Sequence, residues 1–592
     1  MDLNEWTETS RQLITTIRAR GEEEAFRRFL SDIYPNEAHF IYELFQNAED
    51  AGAKHCRFTL TNTELEFEHD GSSLFCEEDV IAITSFGNSR KRDDPTNIGK
   101  FGVGFKAVFV YTNTPEIHSG DFHFRINDLI VPETNGVMKP KMGNRETRFS
   151  FPFDHPTKPR EQAKAEIKRT LIDLGDNTLL FLSHICSIEY QLDDGSFGSL
   201  ERVDHGARRI EIHARHPGDK QTVSHWLRFE DEVEVQDENG KTKPCRIAIA
   251  YHLDENKDND KKKRGSDWVI TPLDHGQVSI YFPAENAVSK LRFHIHAPFA
   301  STVARDSVRN CVANRQLLHH IANLVVKSLP IIRDEGMLTV GFLGVLPNPT
   351  DNLDRFYEPI REAVVRAFRS ENLTPTKSGT HSPAISLYSG PAKISDTIND
   401  DDLSMLRDHE HSLWAANPPQ QNQREGRFLE SLDISEFSWT DLIDRVSIPY
   451  HLDDEETREH IQRIERWIEG KNDAWLLRFY ALLGEALYED NEDLDVQGFR
   501  IVRVELEQGH DHVIPEEAFF PPEQDTSSPQ GVHFVKPSVY SKGRSEKYKR
   551  DATYLLEKLG VRRFDAKTVI ERSLIKYEKT HLTQKNPRTI KI

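Results

Sequence analysis

Ile98-Gly99-Lys100-Phe101-Gly102-Val103-Gly104-Phe105-Lys106 is the run that decides how this 592-residue chain folds. Three glycines at i, i+3 and i+5 lead into the apolar stretch Ala107-Val108-Phe109-Val110, which reads as a buried helix or strand. Glycine adopts positive φ and lets bare backbone approach a ligand, so successive N–H groups can converge on an anion at a helix start. The same run also suits plain structural punctuation. What stands before it weighs between the two.

Upstream, Pro35-Asn36 marks a helix start with Asn36 as N-cap, and the segment continues as His39-Phe40-Ile41-Tyr42-Glu43-Leu44-Phe45-Gln46-Asn47-Ala48-Glu49-Asp50-Ala51-Gly52. Ile41, Leu44, Phe45 and Ala48 form its apolar stripe. Glu43, Asn47 and Asp50 fall at i, i+4 and i+7 on another. Such a polar stripe is either a solvated face or a site, and an amide among carboxylates suits the second. The Asn carbonyl oxygen is a hard ligand for Mg²⁺, and a Glu one turn earlier can deprotonate a water.

Two alternating strands follow, Cys56 to Leu60 and Glu64 to Glu68, the second delivering His69-Asp70-Gly71. A carboxylate beside glycine at a strand end can accept the amino group of adenine, and Asp-Gly is also a common turn. Residues 77 to 84 read as helix. Ser85 to Pro95, polar and charged, reads as a mobile loop entering the glycine run.

This order of polar helix, Asp-Gly turn, loop and Gly-x-x-Gly-x-Gly resembles the GHKL ATPases (gyrase, ninety-kilodalton heat-shock chaperones, histidine kinases, MutL), with Ile98 to Phe105 closest to the chaperone branch. The resemblance implies an N-terminal Bergerat-fold α/β sandwich that binds ATP and Mg²⁺. Glu43 would be the general base, Asn47 the Mg²⁺ ligand and Asp50 a supporting contact. Gly99, Lys100, Phe101, Gly102, Val103, Gly104 and Phe105 would line the phosphates, with the glycines offering backbone N–H groups. Thr147-Arg148-Phe149-Ser150-Phe151-Pro152 is similar to the family's threonine strand, placing Thr147 behind the adenine-contacting acid. Ser89 and Lys91 fall where relatives carry lid residues. The usual Asp-x-Gly motif would place His69 where the acid belongs. Because His-Asp-Gly resembles sacsin-type members, adenine recognition is assigned to Asp70 with Gly71.

Farther on, residues 185 to 300 are strand-rich. Ala300 to Arg309 leads into an amphipathic helix and resembles the chaperone middle-domain loop whose arginine reaches the nucleotide; Arg305 would meet the γ-phosphate, with Arg309 as runner-up. His294 and His296 share a strand face without a third metal ligand. Leu338 to Leu346 reads as a short strand and Arg355 to Phe368 as a helix. Asn417 to Gln423 is the clearest linker, and helices are expected at about 456 to 469 and 473 to 488.

The expected organisation is α/β (α+β): residues 1–184 the ATP-binding domain, 185–335 a strand-rich chaperone-like middle domain, 336–416 a mixed segment, and 427–592 a mainly helical scaffold. No apolar window is long enough to span a membrane, and the first residues lack a signal peptide's pattern, which places the chain in the cytoplasm. Five scattered cysteines without C-x-x-C suit a reducing compartment. A net charge of -21 disfavours non-specific nucleic-acid binding.

The expected function is a slow, conformationally gated ATP hydrolase of chaperone-like type. The alternatives are an ATP-driven sensor or effector in bacterial anti-phage defence, and a nucleotide-gated scaffold with little turnover. A nucleotide-dependent homodimer is what the resemblance implies; clients and partner subunits are not specified by the sequence.

Overall fold

The computed structural model describes residues 3–22, 40–85, 104–141, 146–236, 241–256, 266–301, 307–407, 411–418, 423–448, 454–489, 494–496, 498–522 and 531–564. They form two compact units of mixed α/β structure, the first from residues 1–373 with 418–432 and the second from 374–417 with 433–592.

In the first unit, helix α1 (Leu3–Ala19) precedes α2 (Phe40–Asp50), and a hairpin of β1 (His55–Leu60) and β2 (Glu64–His69) follows. Apolar residues at helical spacing on α2 meet apolar residues at alternating positions on the strands. Phe45 lies 5.3 Å from Phe58 and 6.3 Å from Phe67, ring centre to ring centre, while Phe40 meets Tyr111 and Phe151 at 5.0 and 5.8 Å. All six rings are buried, so α2 is clamped to one face of the sheet.

The end of α2 is set by Gly52, whose positive φ of 72° few side chains adopt. Gly52 N–H donates to Glu49 O and Ala53 N–H to Ala48 O, the paired reverse bonds of a Schellman stop.

Helix α3 (Glu77–Thr84) is tied to α1 by Trp6 Nε1 donating to Thr84 Oγ1 at 2.8 Å. The apolar stretch after the glycines becomes a 3-10 helix, Gly104–Val110, ahead of β3 (Glu116–Ser119), β4 (Phe122–Asn127), β5 (Val131–Glu133) and β6 (Thr147–Pro152). Helices α4 (Arg160–Ile172) and α5 (Asn177–Leu180) lead to β7 (Ser187–Gln191), which pairs with β1 in parallel.

Through that pairing the sheet runs on into β8 (Phe197–His205), β9 (Arg209–Arg215), β10 (Thr222–Gln236), β11 (Thr242–Glu255), β12 (Trp268–Thr271), β13 (Gln277–Ile280), β14 (Phe282–Val288) and β15 (His294–His296). Its order is β14-β13-β15-β11-β10-β9-β8-β7-β1-β2-β6-β3-β4-β5, with β12 beside β11. Helices α6 (Val312–Asp334) and α7 (Glu358–Ser370) follow.

Between them the expected strand at Leu338 to Leu346 is instead a 3-10 turn, Gly341–Gly344. Here Phe342 packs 5.9 Å from Tyr251, and Arg424 donates to Gly344 O and Leu346 O, so a buried apolar run is held without a strand partner. Apolarity alone does not separate the two outcomes.

The second unit sets helices Asp473–Glu489 and Glu546–Lys558 together with a five-stranded sheet from Val502–Glu505, His510–Val513, Ala518–Phe520, His533–Val535 and Arg562–Arg563. Inside it the guanidinium of Arg503 is buried, donating to Asp473 Oδ1 at 2.9 Å and to Lys471 O at 2.6 Å. No helix among the described residues is long and apolar enough to cross a membrane.

Candidate functional site

Along α2, Glu43 is buried, and Asn47 and Asp50 are half-buried. Glu49, on the same helix, has a different task. Its carboxylate is buried and accepts the backbone N–H groups of Ser183, His184 and Ile185, which fixes α2 against the segment entering β7. Sequence reasoning passed over Glu49, because no local pattern shows which carboxylate of the helix turns inward to backbone donors.

The tip of β2 comes up against the C-terminal end of α2. A Cβ on Gly71 would lie 2.7 Å from Ala51 Cβ and 2.9 Å from His69 Nδ1, so this position accepts only glycine without a shift. Ser73 N–H donates to Ala51 O and closes the same junction. The C-terminal end of α2 and the end of β2 are thereby brought together.

At that end the two neighbours His69 and Asp70 point apart. Asp70 is exposed, and its Oδ1 accepts Lys54 N–H at 2.7 Å and His55 N–H at 2.9 Å. His69 is buried on the same strand face as Leu65 and Phe67. Its ring lies 5.8 Å from Phe67 and 6.3 Å from Phe149, and its Nδ1 accepts Gly71 N–H at 3.1 Å. Burial pushes the imidazole down to about 4 against the partial opposition of Asp70. The ring is neutral at pH 7.

Thr147, fully buried, opens β6 directly opposite His69. Its hydroxyl is 2.7 Å from Ser119 Oγ, which in turn accepts Phe75 N–H at 3.1 Å. Ser119 was not foreseen, since a serine ending a short strand carries no signal in sequence.

The exit of the glycine run is fixed as well. Phe105 is buried 5.9 Å from Phe149 and 6.4 Å from Phe151, so residue 105 is anchored on the strand that Thr147 begins. Lys106 is buried; its Nζ donates to Leu129 O at 2.6 Å, and burial pushes it down to about 7. Gly104 opens the 3-10 helix. Ser89, Lys91, Gly99, Lys100, Phe101, Gly102, Val103 and Arg305 lie outside the described residues.

For the loop of Arg305, both ends are held. Ser301 and Val308 form an isolated bridge, and Arg309 N–H donates to Ala300 O. Buried Asn314 accepts Ala300 N–H on Oδ1 and donates from Nδ2 to Ala300 O and Arg309 O, each at 2.7 Å. Asn314 is the residue that pins this loop to α6, and an asparagine at a helix start reads in sequence only as a cap.

His294 and His296 are structural. Each is buried, and their Nδ1 atoms accept the backbone N–H groups of Gln277 and Tyr281. Among the described residues no cluster of three or more His, Cys, Asp or Glu side chains is arranged to hold a metal.

With this geometry in place, likeness to known proteins becomes specific. Residues 24–151 match the Sacsin domain, a span that contains α2, β2, the glycine run and Thr147. The chain is 38% identical over 112 residues to Sacsin of Homo sapiens, covering 16% of this chain and 2% of that protein. It is 38% identical over 190 residues to Protein NO VEIN of Arabidopsis thaliana, covering 28% of this chain and 7% of that one. The chain thus spans a small fraction of these relatives' lengths. Two solved structures superpose loosely: the N-terminal domain of a DNA repair protein (TM-score 0.31, 10% identity, 52% of this chain and 97% of that) and the B-subunit of DNA gyrase from Myxococcus xanthus (TM-score 0.30, 10% identity, 53% and 99%). At such TM-scores no residue correspondence follows.

Proposed function

We propose that this chain is a Mg²⁺-dependent ATPase of GHKL type that couples ATP binding and hydrolysis to conformational change, in a chaperone-like manner. The observation that carries the reading is the junction of Gly71 with Ala51, which sets the C-terminal end of the helix bearing Glu43, Asn47 and Asp50 against the strand end of His69, itself opposite Thr147.

In this reading Glu43 takes a proton from the attacking water, and Asp50 supports the polar face. Asn47 offers its carboxamide oxygen, a donor suited to Mg²⁺, which keeps most of its shell from water and phosphates and so needs no cluster of protein ligands. Bound Mg²⁺ supplies neutralisation of phosphate charge. The backbone of Gly99, Gly102 and Gly104 meets the phosphates, Ser89 and Lys91 belong to the lid, and Arg305 counters charge that develops on the γ-phosphate. Base recognition falls to the strand end of Asp70, His69 and Thr147, where Asp70 Oδ1 also accepts the N–H groups of Lys54 and His55. A nucleotide-dependent homodimer and protein clients belong to the same proposal.

Phosphate release by the wild type and Glu43→Ala tests it. Glu43→Ala should still bind ATP and hydrolyse it at least roughly 10²-fold more slowly. Unchanged turnover removes Glu43 from the reaction.

A further inference from the structure

The ring of His69 has a fixed polarity. Its Nδ1 accepts from Gly71 N–H at 3.1 Å, and a backbone N–H can only donate, so Nδ1 carries no proton. A neutral imidazole then bears its proton on Nε2. The contact is held in place because the peptide at Gly71 is wedged against Ala51, where even a Cβ finds no room. Among the described residues, Gly71 N–H is the hydrogen-bond partner of this ring, which leaves Nε2–H as its remaining donor.

A carboxylate at this place would accept hydrogen bonds and so would suit an exocyclic amine. His69 does the reverse. An N–H facing the 6-amino group of adenine sets two donors against each other, whereas N7, an acceptor in both kinds of purine, or a 6-oxo group is a matched acceptor. A buried donor left without an acceptor forfeits the benefit of the contact and costs its desolvation. The neighbouring hydroxyl of Thr147 lies 2.7 Å from Ser119 Oγ and can both donate and accept, so it suits an amine and a 6-oxo group alike and sets no preference between them.

Resting on the nucleotide-site reading above, we infer that His69 is a specificity-determining residue that donates from Nε2–H to an acceptor on the purine edge, so that the 6-amino group of ATP is not what the site reads. Nucleoside triphosphates with a 6-oxopurine are then held at least as tightly as ATP, and removal of the amine costs nothing.

The test is equilibrium titration of the full chain, with Mg²⁺, against ATP, ITP and purine riboside triphosphate, which lacks the amine. The wild type should bind the amine-free analogue within about threefold of ATP and ITP no more weakly than ATP. His69→Asp should reverse the order and favour ATP over the amine-free analogue by about tenfold, the worth of one hydrogen bond of ordinary strength. The wild-type ranking needs no variant, so a poorly folding His69→Asp does not rescue the idea. A wild type that prefers ATP over the amine-free analogue by about tenfold or more overturns the inference and leaves the nucleotide site standing. Failure of all three nucleotides to bind folded protein overturns the site as well.

Discussion

His69 and Thr147 stand directly opposite one another on the antiparallel strands β2 and β6, one a neutral buried imidazole and the other a hydroxyl bonded to Ser119. Neither belongs to the apolar core by chemistry, yet both occupy its inward face. Polar groups placed there are retained at a cost unless they are satisfied by partners or a ligand. The same strand end carries Gly71, whose backbone ties the pair to α2.

Replacing Gly71 by alanine should therefore damage more than a turn. The new Cβ meets Ala51 and the His69 ring inside contact distance, and overpacking of this sort costs about 1–3 kcal/mol. Urea denaturation should show a lowered midpoint, and ATP affinity should fall with it. A variant as stable as wild type would mean that β2 does not bear on α2 as described.

Acid should weaken the first unit through its buried histidines. Burial sets His69 and His294 at about 4 and His296 at about 3, below the ordinary 6.5 of an unfolded chain. The unfolded chain then takes up protons first, so this stability is fully present above pH ~6.5 and is lost as the pH falls towards ~4, roughly 1.4 kcal/mol per pH unit for each histidine. Urea midpoints at pH 7.5 and 5.5 check the sign: the second should be clearly lower. Equal midpoints would show that these rings are protonated without unfolding.

Asn314 holds both ends of the loop that carries Arg305. Asn314→Ala should lower ATP turnover while leaving ATP affinity within about threefold of wild type, because loosening a positioned group costs the transition state more than the ground state. Wild-type turnover in that variant would detach the loop from catalysis.

Much of this was legible beforehand, for physical reasons. Helix α2 carries Ile41, Leu44, Phe45 and Ala48 at helical spacing, and β1 and β2 alternate cleanly, so periodicity located the strands and the end of the helix to within a residue or two, while the expected N-cap Asn36 lies outside the described residues. Strand β10 was harder. Glu230, Glu232 and Glu234 crowd it with charge that reads as solvated loop, though their spacing of two is that of one strand face, opposite the buried Phe229 and Val235. Sequence order also could not tell which of His69 and Asp70 turns inward. That choice follows from the alternation that puts His69 on the face of Leu65 and Phe67, in a strand that runs one residue past the expected end at Glu68.

The central claim is a Mg²⁺-requiring ATP site built around α2, and calorimetric titration of ATP into the full chain tests it most directly. Saturable binding is expected with Mg²⁺ present, greatly weakened by chelation and by Asn47→Ala. Absence of saturable binding to folded wild-type protein, or binding indifferent to both Mg²⁺ and Asn47, would contradict it.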